Sequence, residues 1–114
     1  MEEKRRYERL GIDVKVEIER IDNGDTTTVK YLTVDVTDIS RSGIGFTSTT
    51  ELKKDAMLKA NITIWTKEVL PAIFKIVRVS NDGKLWHYGA IFVGMREEDA
   101  LKIQIYQMLN ENDN

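Results

Sequence analysis

The sequence predicts an all-β domain with a C-terminal helix, built as a six-stranded antiparallel β-barrel. Three observations carry this. Apolar and polar residues alternate at period two in segment after segment up to Gly94, the signature of half-buried strands. Two clusters, Asp22-Asn23-Gly24-Asp25 and Ser80-Asn81-Asp82-Gly83, interrupt the alternation with the turn residues of hairpins. After Gly94 the apolar spacing becomes helical. Strand upon strand followed by one helix points to a closed or nearly closed barrel, with the helix covering an open end or side.

The first strand is read over Ile12–Ile18, where Ile12, Val14, Val16 and Ile18 share one face and Asp13, Lys15 and Glu17 the other. Its hairpin partner spans about Thr27–Thr37, with Leu32, Val34 and Val36 opposite Tyr31, Thr33, Asp35 and Thr37. Ser40-Arg41-Ser42-Gly43 breaks the pattern, and Ile44–Ser48 resumes it as a short strand. Leu58, Ala60, Ile62 and Ile64 mark the fourth strand. Leu70–Val79 is apolar on both faces, as in a central strand, with Pro71 near its start where a missing N–H is tolerated. Lys84–Val93 closes the second hairpin, with Trp86, Tyr88, Ala90 and Phe92 on one side. The helix is expected over residues 95–110, with Leu101, Ile105, Met108 and Leu109 as its apolar stripe. Glu97, Glu98 and Asp99 suit the dipole of its first turn. Arg96 stands where a capping Ser, Thr, Asp or Asn would be expected.

With 114 residues there is room for one domain, residues 1–114. We divide it into an arginine-bearing arm (residues 1–11), a barrel (12–93) and the helix. The chain has no cysteine and a single histidine, so thiolate and structural zinc sites are not expected. No apolar run is long enough to span a membrane, and Met-Glu-Glu-Lys-Arg-Arg lacks the apolar segment of a signal peptide. A cytoplasmic location without membrane insertion follows. Seventeen basic against 19 acidic residues, a net charge of −2, argue against a general DNA or RNA binder.

Catalysis is not expected. Ser40, Ser42 and Ser80 have no base and orienting partner in view, and His87, between Trp86 and Tyr88, reads as a structural or surface residue. Trp65, Trp86, Phe74 and Phe92 fall at strand spacing and read as core.

Two constellations point instead to binding. Arg5-Arg6-Tyr7-Glu8-Arg9, preceded by Lys4, gathers planar, permanently charged forks that pair with phosphate, stack on bases and read guanine O6 and N7. Taken alone, such a run is more often a solvated tail. In Asp38-Ile39-Ser40-Arg41-Ser42-Gly43, Asp38 can accept from a guanine Watson–Crick edge and Ser40 can donate to phosphate. Gly43 would permit a turn of positive φ and close backbone approach. Taken alone, this is more often an ordinary turn.

Together they are more specific. Arg5-x-x-x-Arg9 followed by Asp38-x-Ser40-x-x-Gly43 resembles the signature of PilZ domains, bacterial receptors for cyclic di-GMP. Gly43-Ile44-Gly45-Phe46 resembles the strand after the family's loop, and Tyr88 to Gly94 followed by Glu97-Glu98-Asp99 resembles its last strand and helix start. The resemblance covers nearly the whole chain and implies a split-barrel fold of six strands with a C-terminal helix. It also implies that Arg5 and Arg9 hold the phosphates and guanines, that Asp38 and Ser40 complete those contacts, and that Gly43 shapes the turn. Lys4 and Arg6 add cations beside the motif, a surplus that leans towards a stacked pair of ligands over one, and Arg41 is a further candidate contact. Arg78, in an otherwise apolar strand, either pairs with a carboxylate such as Asp35 or Asp38 or reaches the ligand. No cofactor or metal is implied.

The arm has little apolar content to anchor it, so it is expected to be mobile when free and to order on binding. An unidentified effector protein would then read the altered surface. The alternative is an adaptor that binds another protein without ligand.

Overall fold

Branched side chains on alternate positions favour extended backbone and bury one face of each strand. They fold here into β1 (Asp13–Asn23), β2 (Thr26–Ile39), β3 (Gly43–Ser48), β4 (Met57–Thr63), β5 (Val69–Asn81) and β6 (Trp86–Gly94), followed by α1 (Glu97–Asn112). This computed structural model describes residues 12–112. The predicted arm, with Lys4, Arg5, Arg6 and Arg9, lies outside the described residues.

The six strands form a closed antiparallel barrel in the order β1-β2-β3-β6-β5-β4, with β1 paired to β4. Closure leaves no unpaired edge. Both predicted hairpins are present, and the glycines of their turns adopt the left-handed region, Gly24 at φ 58° and Gly83 at φ 95°. The inward faces meet as one core that includes Val14, Val16, Ile62, Leu70, Phe74 and Ile76, all essentially without solvent exposure. Phe74 lies fully in this core, whereas Trp65, Trp86 and Phe92 sit partly buried at its margin.

Phe46 stacks obliquely on Phe74 and Tyr88, with centroids 5.6 and 5.1 Å apart. The Tyr88 hydroxyl donates to the Thr50 carbonyl at 2.9 Å and accepts from the Leu52 N–H at 2.6 Å. Burial pushes the phenol pKa up from its usual value. The hydroxyl pins the β3–β4 connection, so Tyr88→Phe should cost about 1–2 kcal/mol by stranding both backbone groups. Urea denaturation at constant m-value measures it.

Four register shifts depart from simple alternation. The bulge between Glu17 and Glu19 takes Ile18 out of register, so Ile18 is 40% exposed and is not the fourth inward residue that its spacing predicts. The others fall at Thr37, between Val36 and Asp38, at Val77, between Ile76 and Arg78, and at Val93, between the partners of Ile73 and Phe74.

The helix corrects a second expectation. Its predicted stripe, Leu101, Ile105, Met108 and Leu109, faces solvent at 45–54% exposure. The buried side is Asp99, Ile103 and Tyr106, one to two turns apart on the same helical face. Three contacts select that side. Tyr106 stacks on Trp65 at 5.0 Å, Lys102 pairs with Glu68 at 2.6 Å, and the Arg41 guanidinium donates to Gln104 Oε1 at 3.0 Å. The missing N-cap is also resolved. Asp99 carries its carboxylate back to the Arg96 guanidinium through two bonds of 3.1 Å. The Arg96 carbonyl meanwhile accepts from the N–H groups of Asp99 and Ala100.

Candidate functional site

The loop predicted to bind is the tip of the β2–β3 hairpin. Ile39 pairs with Ile44, and the Ser40 N–H donates to the Gly43 carbonyl at 2.9 Å, leaving Arg41 and Ser42 at the turn. Ser40 Oγ accepts from the Ser42 N–H at 3.3 Å and lies 3.2 Å from Ser42 Oγ. The Phe92 N–H donates to the Ser42 carbonyl at 2.9 Å, so the turn is tied to β6 as well as to its own strands.

Gly43 does not have the positive φ expected of it: among the described glycines, only Gly24 and Gly83 do. Its requirement is close approach. A Cβ at position 43 would stand 2.5 Å from the Ala90 carbonyl oxygen, and backbone cannot give way as a side-chain tip can.

Asp38 reaches the outer face because of the bulge at Thr37. Val34 and Val36 point inward, and strict alternation would carry residue 38 inward with them. The extra residue turns Asp38 outward and returns Ile39 to the core. The carboxylate then lies directly over Gly45, in the space a side chain there would fill, and accepts from Thr37 Oγ1 at 3.2 Å.

The structure thus brings Asp38, Ser40 and Gly43 together on one exposed hairpin. Arg41 points away from them, to Gln104 on α1. Arg78 resolves differently from either expected partner. Among the described residues it has no ion pair with Asp35 or Asp38, and its guanidinium lies over Gly89. Arg5, Arg6, Arg9 and Lys4 lie outside the described residues.

Sequence reasoning passed over Gly45 and Gly89. Each is a glycine inside a strand, which signals close approach of another group, and that signal was available. A separate open groove of about 630 Å³, bordered by Glu17, Tyr31, Lys59, Asn61, Pro71 and Arg96, contains none of the described motif positions.

Elsewhere the ionisable groups serve the fold. At the β5–β6 turn, Asp82 Oδ1 accepts from the N–H groups of Lys84 and Leu85 at 2.9 and 2.8 Å, and Oδ2 lies 2.8 Å from His87 Nε2. The Leu85 amide, then His87 and the Lys84 amide, hold this carboxyl well below the usual range. A depressed folded-state pKa stabilises above the unfolded value and loses that effect as pH falls through the folded one. Wild type should therefore exceed Asp82→Asn in stability above about pH 4, and the difference should shrink as pH drops further. Paired melting curves between neutral and acid pH check this. The Lys102 side chain, then Thr66, likewise lowers Glu68 from its usual pKa.

Among the described residues no group of three His, Cys, Asp or Glu side chains is placed to hold a metal. No described helix is long and apolar enough to cross a membrane.

Comparison with known proteins gives one positive result. A family model described as PilZ domain matches residues 3–110. No curated protein and no solved structure matches.

Proposed function

Because the chain belongs to the PilZ domain family, whose model spans residues 3–110, we propose that it is a bacterial, cytoplasmic receptor that binds cyclic di-GMP and passes the signal to an effector protein. PilZ is a cyclic di-GMP receptor family, and its domains bind ligands and do not catalyse. The observation that carries the proposal for this chain is the intact motif pair. Arg5 and Arg9 are both present, and Asp38, Ser40 and Gly43 stand together on a hairpin whose turn is braced by β6.

In this reading Arg5, Arg6 and Arg9, with Lys4 beside them, neutralise the phosphodiesters and contact the guanines. Asp38 accepts from a guanine N1–H and amino group, and Ser40 donates to phosphate. Binding needs no cofactor or metal. Ordering of the arm against the barrel is the output that the partner reads.

Calorimetric titration of the full chain with cyclic di-GMP tests the reading. Heat of binding in the micromolar range or tighter supports it, and no binding at about 100 μM, roughly −5.5 kcal/mol, removes it.

One observation favours a second reading, a ligand-independent adaptor. The apolar stripe of Leu101, Ile105, Met108 and Leu109 lies on the outer face of α1, where it covers nothing in the barrel. Capture of a partner that is unaffected by cyclic di-GMP and by Arg5→Ala, and is lost on Ile105→Glu, would select that reading.

A further inference from the structure

The geometry points to Arg78 as a binding residue for the guanine nucleotide, acting as a flat cationic platform on a floor of two glycines. The inference rests on the binding function proposed above and extends the site beyond its motif.

The register places four residues in one line across the barrel. Asp38 on β2 pairs with Gly45 on β3, Gly45 with Gly89 on β6, and Gly89 with Arg78 on β5. All four occupy the outward face, and the two outer ones do so only because of bulges. Phe74 and Ile76 point inward, so strict alternation would bury Arg78 as well. The extra residue Val77 turns it out, as Thr37 turns out Asp38. Two independent bulges thus deliver a carboxylate and a guanidinium to opposite ends of the same row.

Between them the floor carries no side chains. A Cβ on Gly89 would stand 2.7, 2.8 and 3.1 Å from Nη2, Cζ and Nε of Arg78. Three such similar distances mean that the guanidinium lies face-down on the glycine. Arg78 is exposed and has no ion pair among the described residues. The Asp38 carboxylate covers Gly45 through its Oδ1. The two glycines are cross-strand neighbours roughly 5 Å apart, so an acceptor and a flat cation sit side by side without forming a pair.

That arrangement matches a ligand that offers N–H donors, an aromatic face and negative charge together, as a guanine nucleotide does. Asp38 would take the Watson–Crick edge of one base. The Arg78 guanidinium would stack under a purine face, with its charge beside the phosphodiester. Arg78 has no ion pair to give up among the described residues and Asp38 only the exposed bond from the Thr37 hydroxyl, which keeps the platform ready for ligand.

Calorimetry with cyclic di-GMP on the full chain tests this with wild type, Asp38→Ala, Arg78→Ala, Arg78→Lys and Gly89→Ala. Arg78→Ala should weaken binding about ten- to thirtyfold. Arg78→Lys keeps the charge and loses the plane, so it should recover only part of that loss. Gly89→Ala should weaken binding comparably, because its methyl lifts the guanidinium tip off the floor while the flexible side chain lets the barrel fold. Unchanged melting temperatures without ligand show that the variants are folded. Wild-type binding that is lost in Asp38→Ala but within about twofold of normal in Arg78→Ala would overturn this inference and leave the binding function standing. Absence of binding by wild type would overturn both.

Discussion

Replacing Arg5 and Arg9 together by alanine should reduce affinity for cyclic di-GMP by roughly thirtyfold to twenty-five-thousandfold, or about 2–6 kcal/mol at 1–3 kcal/mol for each bidentate contact. The size follows from chemistry. Each guanidinium offers a fixed fork to phosphate or to guanine O6 and N7, and no other side chain reproduces that geometry. Lysine at both positions should restore a minor share, since it returns charge without the fork. A thermal shift assay separates binding from folding. Wild type at a ligand concentration of 100 times Kd should gain about 2.7 kcal/mol, seen as a rise in melting temperature. The double variant should melt as wild type does without ligand and gain no more than about 0.9 kcal/mol at the same concentration.

Gly43→Val should destabilise the barrel by about 3 kcal/mol, the upper part of the range for overpacking. The first added carbon already meets the Ala90 carbonyl oxygen at 2.5 Å, and both groups belong to paired strands that cannot separate without losing ladder bonds. The branched carbons add to the conflict. Affinity should fall as well, because β3 carries the floor under Asp38 and the turn that positions Ser40. Denaturant unfolding should show a lower midpoint at an unchanged slope. Gly24→Ala provides the contrast. Nothing lies within 4 Å of a Cβ there, but φ is 58°, so its smaller cost, of order 1 kcal/mol, comes from backbone strain alone. The two glycines are needed for different reasons, and only the first bears on the site.

Both expectations concern positions visible in the sequence, yet which of two reasons applies at Gly43 was not. A glycine in a turn-like segment suggests positive φ, whereas here it marks a close approach between β3 and β6, strands far apart in the chain. The helix gives a parallel case. Its spacing reveals an amphipathic element but offers two apolar sides, one with Leu101 and Ile105 and one with Ile103 and Tyr106. Trp65, Glu68 and Arg41, on distant loops, decide between them.

What the sequence by itself determined is local. Alternation, the Asp/Asn-Gly turns and the change of period after Gly94 specify six strands, two hairpins and a terminal helix, since each depends on neighbours a few positions away. The spacing of Arg5, Arg9, Asp38, Ser40 and Gly43 points to the family and to the loop on which we propose that recognition is built. Only the tertiary structure decided which way the key side chains point. Alternation alone would send Asp38 and Arg78 into the core, as it would send Ile18. Closing the barrel staggers each strand against two neighbours, and bulges at Ile18, Thr37 and Val77 absorb that stagger. Whether a residue faces the core or the ligand is therefore a property of the closed barrel and not of any strand read alone.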